Sequence, residues 1–94
     1  MTYKSRDKIT VPDSVLVREL GGESVLLNLA SESYFGLDES GTRMWGALTT
    51  SPSVGEAFDA LLAEYEVEPD RLRADLDAFM QKLAVAGLLY VQTS

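Results

Sequence analysis

The stretch YFGLDESGTRMWGAL, residues 34–48, decides how this chain must fold. Tyr34 and Phe35 are adjacent in an extended run, and neighbours on a strand point to opposite faces, so only one of the two rings can enter a core beneath it. Gly36 inside that run marks a bend or leaves room for another backbone to approach closely. Asp38 or Ser40 then offers a side-chain oxygen to the open amides of a first helical turn, after which Met44, Trp45 and Leu48 recur at helical spacing. A strand-to-helix joint therefore sits in the middle of the chain.

Upstream of the joint the pattern is that of strands. SVLVREL (14–20) is rich in β-branched residues and leucine, and Gly21-Gly22 follows with the turn chemistry of a hairpin. In the returning run ESVLLNLA (23–30), Val25, Leu27 and Leu29 alternate with Ser24, Leu26 and Asn28, so one face is expected buried and the other mixed. A polar turn, SES, leads into the third strand, Ser33 to Leu37. Residues 1–10 show little apolar content and no period; they are expected to be a flexible N-terminal arm, tied down at most by Ile9 and Val11, ahead of one domain over residues 11–92.

Downstream the period is helical. Ser53 and Glu56 after the SPS break have capping-box spacing, and Val54, Ala57, Phe58, Leu61, Leu62 and Tyr65 fill one stripe of a second helix. Pro69 suits the first turn of a third helix, which carries Leu72, Leu76, Phe79, Met80 and Leu83 and stops at Gly87. LLYV (88–91) closes the chain as a short extended segment or tail. Three strands followed by three helices predict an α+β fold, a three-stranded antiparallel sheet packed on helices in the manner of a winged helix-turn-helix.

Composition narrows the chemistry. Ninety-four residues make one small core, and the absence of cysteine and histidine removes thiolates, disulfides and the commonest general base and metal ligand. Asp75 and Asp77, two apart on a helix, face about 200° away from each other and cannot share a site. Asp38 and Glu39 sit at a helix start, where negative charge is favoured anyway. These acids lack the spacing of a calcium loop, and the lone Gly21-Gly22 pair is no phosphate cradle. No catalytic residue, metal site or cofactor is expected, and the chain is read as a non-enzyme. No apolar run reaches the ~18 residues of a membrane span and the start lacks a signal peptide's apolar middle, so a cytoplasmic protein with no membrane partner is expected.

The net charge is −7, but residues 1–8 are basic by two charges and leave −9 on the other 86. Such a body repels a polyanion. On the third helix Arg71, Arg73 and Lys82 are cancelled by Asp70, Asp75 and Asp77, which argues against a nucleic-acid partner although the scaffold resembles one. Trp45, Phe58 and Leu76 are most simply core anchors. The apolar stripe of the third helix is nonetheless wide enough to leave Met80 or Leu72 looking out of the core. A strand edge beside such a helix makes a groove for an added strand, with backbone hydrogen bonds for affinity and side-chain pockets for specificity.

The pattern VLLNL…YFGLDESGTRMWGAL…SVGEAFDALLAEYEVEPDRLRADLDAFMQKLAVAGLL resembles the PqqD-like proteins, precursor-recognition elements of ribosomally made, modified peptides, over about residues 11–91. The resemblance implies a domain that binds the N-terminal leader of a precursor peptide as an extra antiparallel strand along the third strand, in a cleft against the third helix. Carried onto this chain, the site is Ser33, Tyr34, Phe35, Gly36 and Leu37 with Leu72, Asp75, Leu76, Phe79 and Met80. Acidic side chains such as Asp75, Glu32 or Asp70 would attract a leader lysine or arginine. The wording around YFGLDESGTRMW looks closest to stand-alone members of lasso-peptide pathways, whose partner is a separate leader peptidase. The alternatives are a PqqD-like chaperone for a radical maturation enzyme, an acidic winged-helix regulator of DNA or protein, and a non-catalytic subunit that stabilises an enzyme.

Overall fold

A computed structural model describes residues 4–92. The chain runs β1 (Lys8–Thr10), β2 (Val15–Leu20), β3 (Glu23–Asn28), β4 (Ser33–Leu37), α1 (Glu39–Thr50), α2 (Val54–Glu64), α3 (Pro69–Val85) and β5 (Tyr90–Gln92). Antiparallel strands in the order β2-β3-β4 form the main sheet, followed by the three helices, the α+β arrangement of a winged helix. Gly21 and Gly22 both have positive φ, +61° and +88°, as a two-residue hairpin turn of matching twist requires. Register then follows, with Val17 opposite Leu26 and Leu26 opposite Phe35.

That register assigns the faces, because directly paired residues share one. Phe35, Leu37, Leu26 and Val15 point toward the helices, and Tyr34, Leu27 and Leu16 form a row across the outer face. Tyr34 is 77% exposed there, so Phe35 is the ring that turns inward. The inward face of β3 is its more polar one: Ser24, Leu26 and Asn28 are buried, whereas Val25 and Leu27 are only half-buried. Both inward polar groups are satisfied, which is the condition for burying them. Ser24 Oγ lies 2.7 Å from Thr42 Oγ1. Asn28 accepts from Ser14 Oγ and the Ala30 amide and donates to the Gly87 carbonyl.

Local signals hold the helices in place. Asp38 caps α1, its Oδ1 accepting from the Gly41 amide at 2.7 Å. Ser53 Oγ accepts from the Glu56 amide to cap α2, Pro69 opens α3, and Gly87 ends it at φ +75°. The buried side chains form two clusters. Trp45, Leu26, Leu37, Leu83 and Leu88 lie beneath the sheet, and Leu48, Ala57, Leu61, Leu76 and Met80 lie among the helices. Phe79 and Ile9 pack against both.

The N-terminal segment is held more closely than its composition suggests. Strand β1 pairs with β5, Ile9 opposite Val91. Ahead of it, the Asp7 and Ser5 carbonyls accept from the amides of Val54 and Gly55, both at 2.8 Å. These are open amides of the first turn of α2, which need partners from outside the helix. The contact is so close that a Cβ on Gly55 would lie 2.6 Å from Ser5 Cβ. Carbonyls rather than side chains make this attachment, so it leaves no periodic trace in the sequence. Residues 1–3 of the expected arm lie outside the described residues.

Candidate functional site

Strand β4 is an edge strand: β3 pairs with one side of it and no described strand covers the other. On that side a groove of about 960 Å³ opens between β4 and α3. Its walls are Phe35, Gly36 and Leu37 from β4, Asp38, Ser40, Gly41 and Met44 around the start of α1, the Tyr65–Glu68 connection, and one face of α3. Residues 71, 72, 75, 78, 79 and 82 form that face. Their spacing of three and four keeps them on one side of a helix, while Leu76, Met80 and Leu83 at the same spacing face the core.

This split sorts the residues expected from the sequence. Phe35, Gly36, Leu37, Leu72, Asp75 and Phe79 line the groove. Ser33 and Tyr34 belong to the same edge strand but lie outside the groove wall, with Tyr34 on the outer face of the sheet. Leu76 and Met80, 2% and 0% exposed, are core residues and contribute no groove surface. Leu72 is nearly buried yet forms part of the floor. The spare apolar side chain of α3 is therefore Phe79 rather than Met80, with its ring near Gly41: a Cβ there would meet Phe79 Cε1 at 3.4 Å. A Cβ on Gly36, by contrast, would point to the outer face of the sheet, where it would meet nothing within 4 Å.

The groove is apolar along its floor and charged along its rims. Lys82 Nζ sits 5.7 Å from the Phe35 ring centroid, a cation-π contact that joins α3 to β4 at one end. Glu66, Glu68 and Asp38 lie toward the other end, and Arg71 pairs loosely with Asp75 at 3.9 Å. That pair is well exposed and adds little stability. Glu32 and Asp70, also expected near the cleft, do not line it. Lys82 and the Tyr65–Glu68 wall were not foreseen. Lys82 was legible, since it follows Phe79 by three and Asp75 by seven on one helical face, whereas the connection becomes a wall only through tertiary packing.

The geometry has a counterpart in known proteins. Residues 23–89 match the family model of coenzyme PQQ synthesis protein D (PqqD). The chain belongs to the PqqD family. Two solved structures resemble this PqqD-family chain closely. One, "TbiB1 in Complex with the TbiA(beta) Leader Peptide", is 36% identical with a TM-score of 0.81, over 89% of this chain and 98% of that one. The other, "Lasso peptide synthetase B1 complexed with the leader peptide", is 23% identical with a TM-score of 0.79, over 88% of this chain and 98% of that one, and bears on the fold alone. No curated protein sequence matches the chain. Among the described residues there is no helix long and apolar enough to cross a membrane and no group of three or more acidic side chains placed to hold a metal ion.

Proposed function

We propose that this chain is a recognition element for the leader of a ribosomally made precursor peptide, of the kind used in lasso-peptide synthesis. The leader adds as an antiparallel strand along β4 and seats alternate side chains in the groove against α3. The observation that carries the reading is the pairing of a free strand edge with an adjoining apolar groove. The 36% identity to a protein solved with a leader peptide supports it. Edge β2 is a poorer receiver: it has no such groove, and the charges of Arg18 and Glu19 along it disfavour pairing with another chain.

No chemistry is assigned to the chain itself. The leader is held and presented, and a separate maturation enzyme, the leader peptidase of the pathway, acts on it. Fluorescence polarisation with a labelled leader from the precursor gene neighbouring this one tests the reading. Saturable binding by the folded protein, abolished when the groove is filled, is expected; a leader that is processed efficiently in the pathway yet never binds this chain contradicts it.

A further inference from the structure

The two ends of the groove carry opposite charge, and the contacts along it fix which end is which. Lys82 lies against Phe35, and Phe79, one turn earlier on α3, lies near Leu37 and Gly41. Stepping back along α3 therefore means moving forward along β4, past Leu37. The start of α3 and the Glu66 and Glu68 rim lie beyond that end, and Asp38 directly follows the strand there. The cationic end thus faces the beginning of β4 and the acidic end its finish. Arg71 offsets part of the acidic rim but is itself paired with Asp75.

We infer that the groove selects peptides by the order of their charges. The preferred ligand carries a lysine or arginine toward its N-terminus and an aspartate or glutamate about six residues later. The inference rests on the strand-addition reading above, in which an antiparallel peptide enters at the Leu37 end and leaves past Phe35. The spacing follows from geometry. Glu68 and Lys82 are separated by about 21 Å along a helix rising 1.5 Å per residue, which an extended peptide spans in about six residues at roughly 3.3 Å each. The peptide's acid would meet Lys82 above the Phe35 ring, and its cation would meet Glu66 and Glu68. Reversed charges would place like against like at both ends, which is how charge patterns exclude wrong partners and wrong orientations.

Selection from a random peptide display library, with wild-type protein and with the K82E/E66K/E68K variant, tests this. All three side chains are exposed, and Glu68 makes no side-chain capping bond, so the variant keeps its fold. Wild type is expected to enrich the cation-first order and the variant the acid-first order. A synthetic peptide from the wild-type selection should bind the variant at least about fivefold more weakly, with the difference shrinking at high salt as screening grows. Enriched peptides that compete for the groove but show no charge order, or the same order for both proteins, overturn the inference and leave leader recognition standing. Failure to enrich any groove-binding peptide overturns both.

Discussion

Lys82 and Phe35 meet at one end of the groove, ammonium to ring centroid at 5.7 Å, and link α3 to β4 there. The contact matters more to the proposed function than to the fold. Phe35 is inward only because the β3–β4 register sets it opposite Leu26, and Lys82 reaches it only because α3 continues one turn beyond Phe79. Lys82→Ala removes an exposed cation and leaves the core intact. It is expected to lower stability by no more than about 1 kcal/mol while weakening leader binding several-fold, as paired melting curves and titrations would show.

Ala78 separates binding from folding more sharply. It is exposed on α3 and lines the groove, so Ala78→Trp places a ring in the space proposed for the leader without disturbing either core cluster. Surface changes of this kind usually stay within about 0.5 kcal/mol. The melting temperature should hold, and leader affinity should fall by at least about tenfold.

Phe79 cannot make that separation. It packs against both buried clusters as well as lining the groove, so Phe79→Ala removes shared core contacts. A loss of about 2–4 kcal/mol is expected from denaturant unfolding, together with lost binding.

Gly55 packs directly against Ser5. In an open helix, alanine for glycine stabilises by about 0.5–1 kcal/mol. Here the new Cβ would lie 2.6 Å from Ser5 Cβ and 3.0 Å from the Ser5 carbonyl oxygen. Gly55→Ala should instead destabilise by roughly 1–3 kcal/mol, the cost of overpacking. Faster hydrogen exchange at the Val54 and Gly55 amides should accompany it as the N-terminal segment separates.

Asn28 predicts the reverse of Ala78. Its side chain joins Ser14, Ala30 and Gly87 beneath the sheet and does not line the groove, although its backbone pairs with Ser33 at the start of β4. Asn28→Leu leaves buried polar partners unsatisfied and should cost about 1–3 kcal/mol. Protein that remains folded should bind the leader with unchanged affinity.

Much of this architecture was legible because its signals are local. The glycine pair fixed the hairpin, Asp38 or Ser40 and then Ser53 marked helix starts, with Asp38 the cap that forms, and the adjacency of Tyr34 and Phe35 required one ring to stay outside. What was hidden depends on distant partners. Side-chain alternation in β3 does not reveal that Ser24 and Asn28 turn inward, because their partners, Thr42 and Gly87, lie far along the chain. The docking of Ser5 and Asp7 is made by carbonyls, which carry no residue identity. On α3 Phe79 and Met80 were both expected in the cleft; Phe79 lines the groove while Met80 is buried, because adjacent residues point about 100° apart around the helix and an apolar pattern does not tell which of two neighbours faces the core.

Pairing of the leader with the free edge of β4 is open to direct observation. Hydrogen exchange measured with and without saturating leader peptide reads it out amide by amide. Peptide should slow exchange at amides of Ser33–Leu37 and leave the β2 edge, Val15–Leu20, unchanged. Saturating binding that protects β2 or the outer face of the sheet, with no added protection along β4, would contradict it.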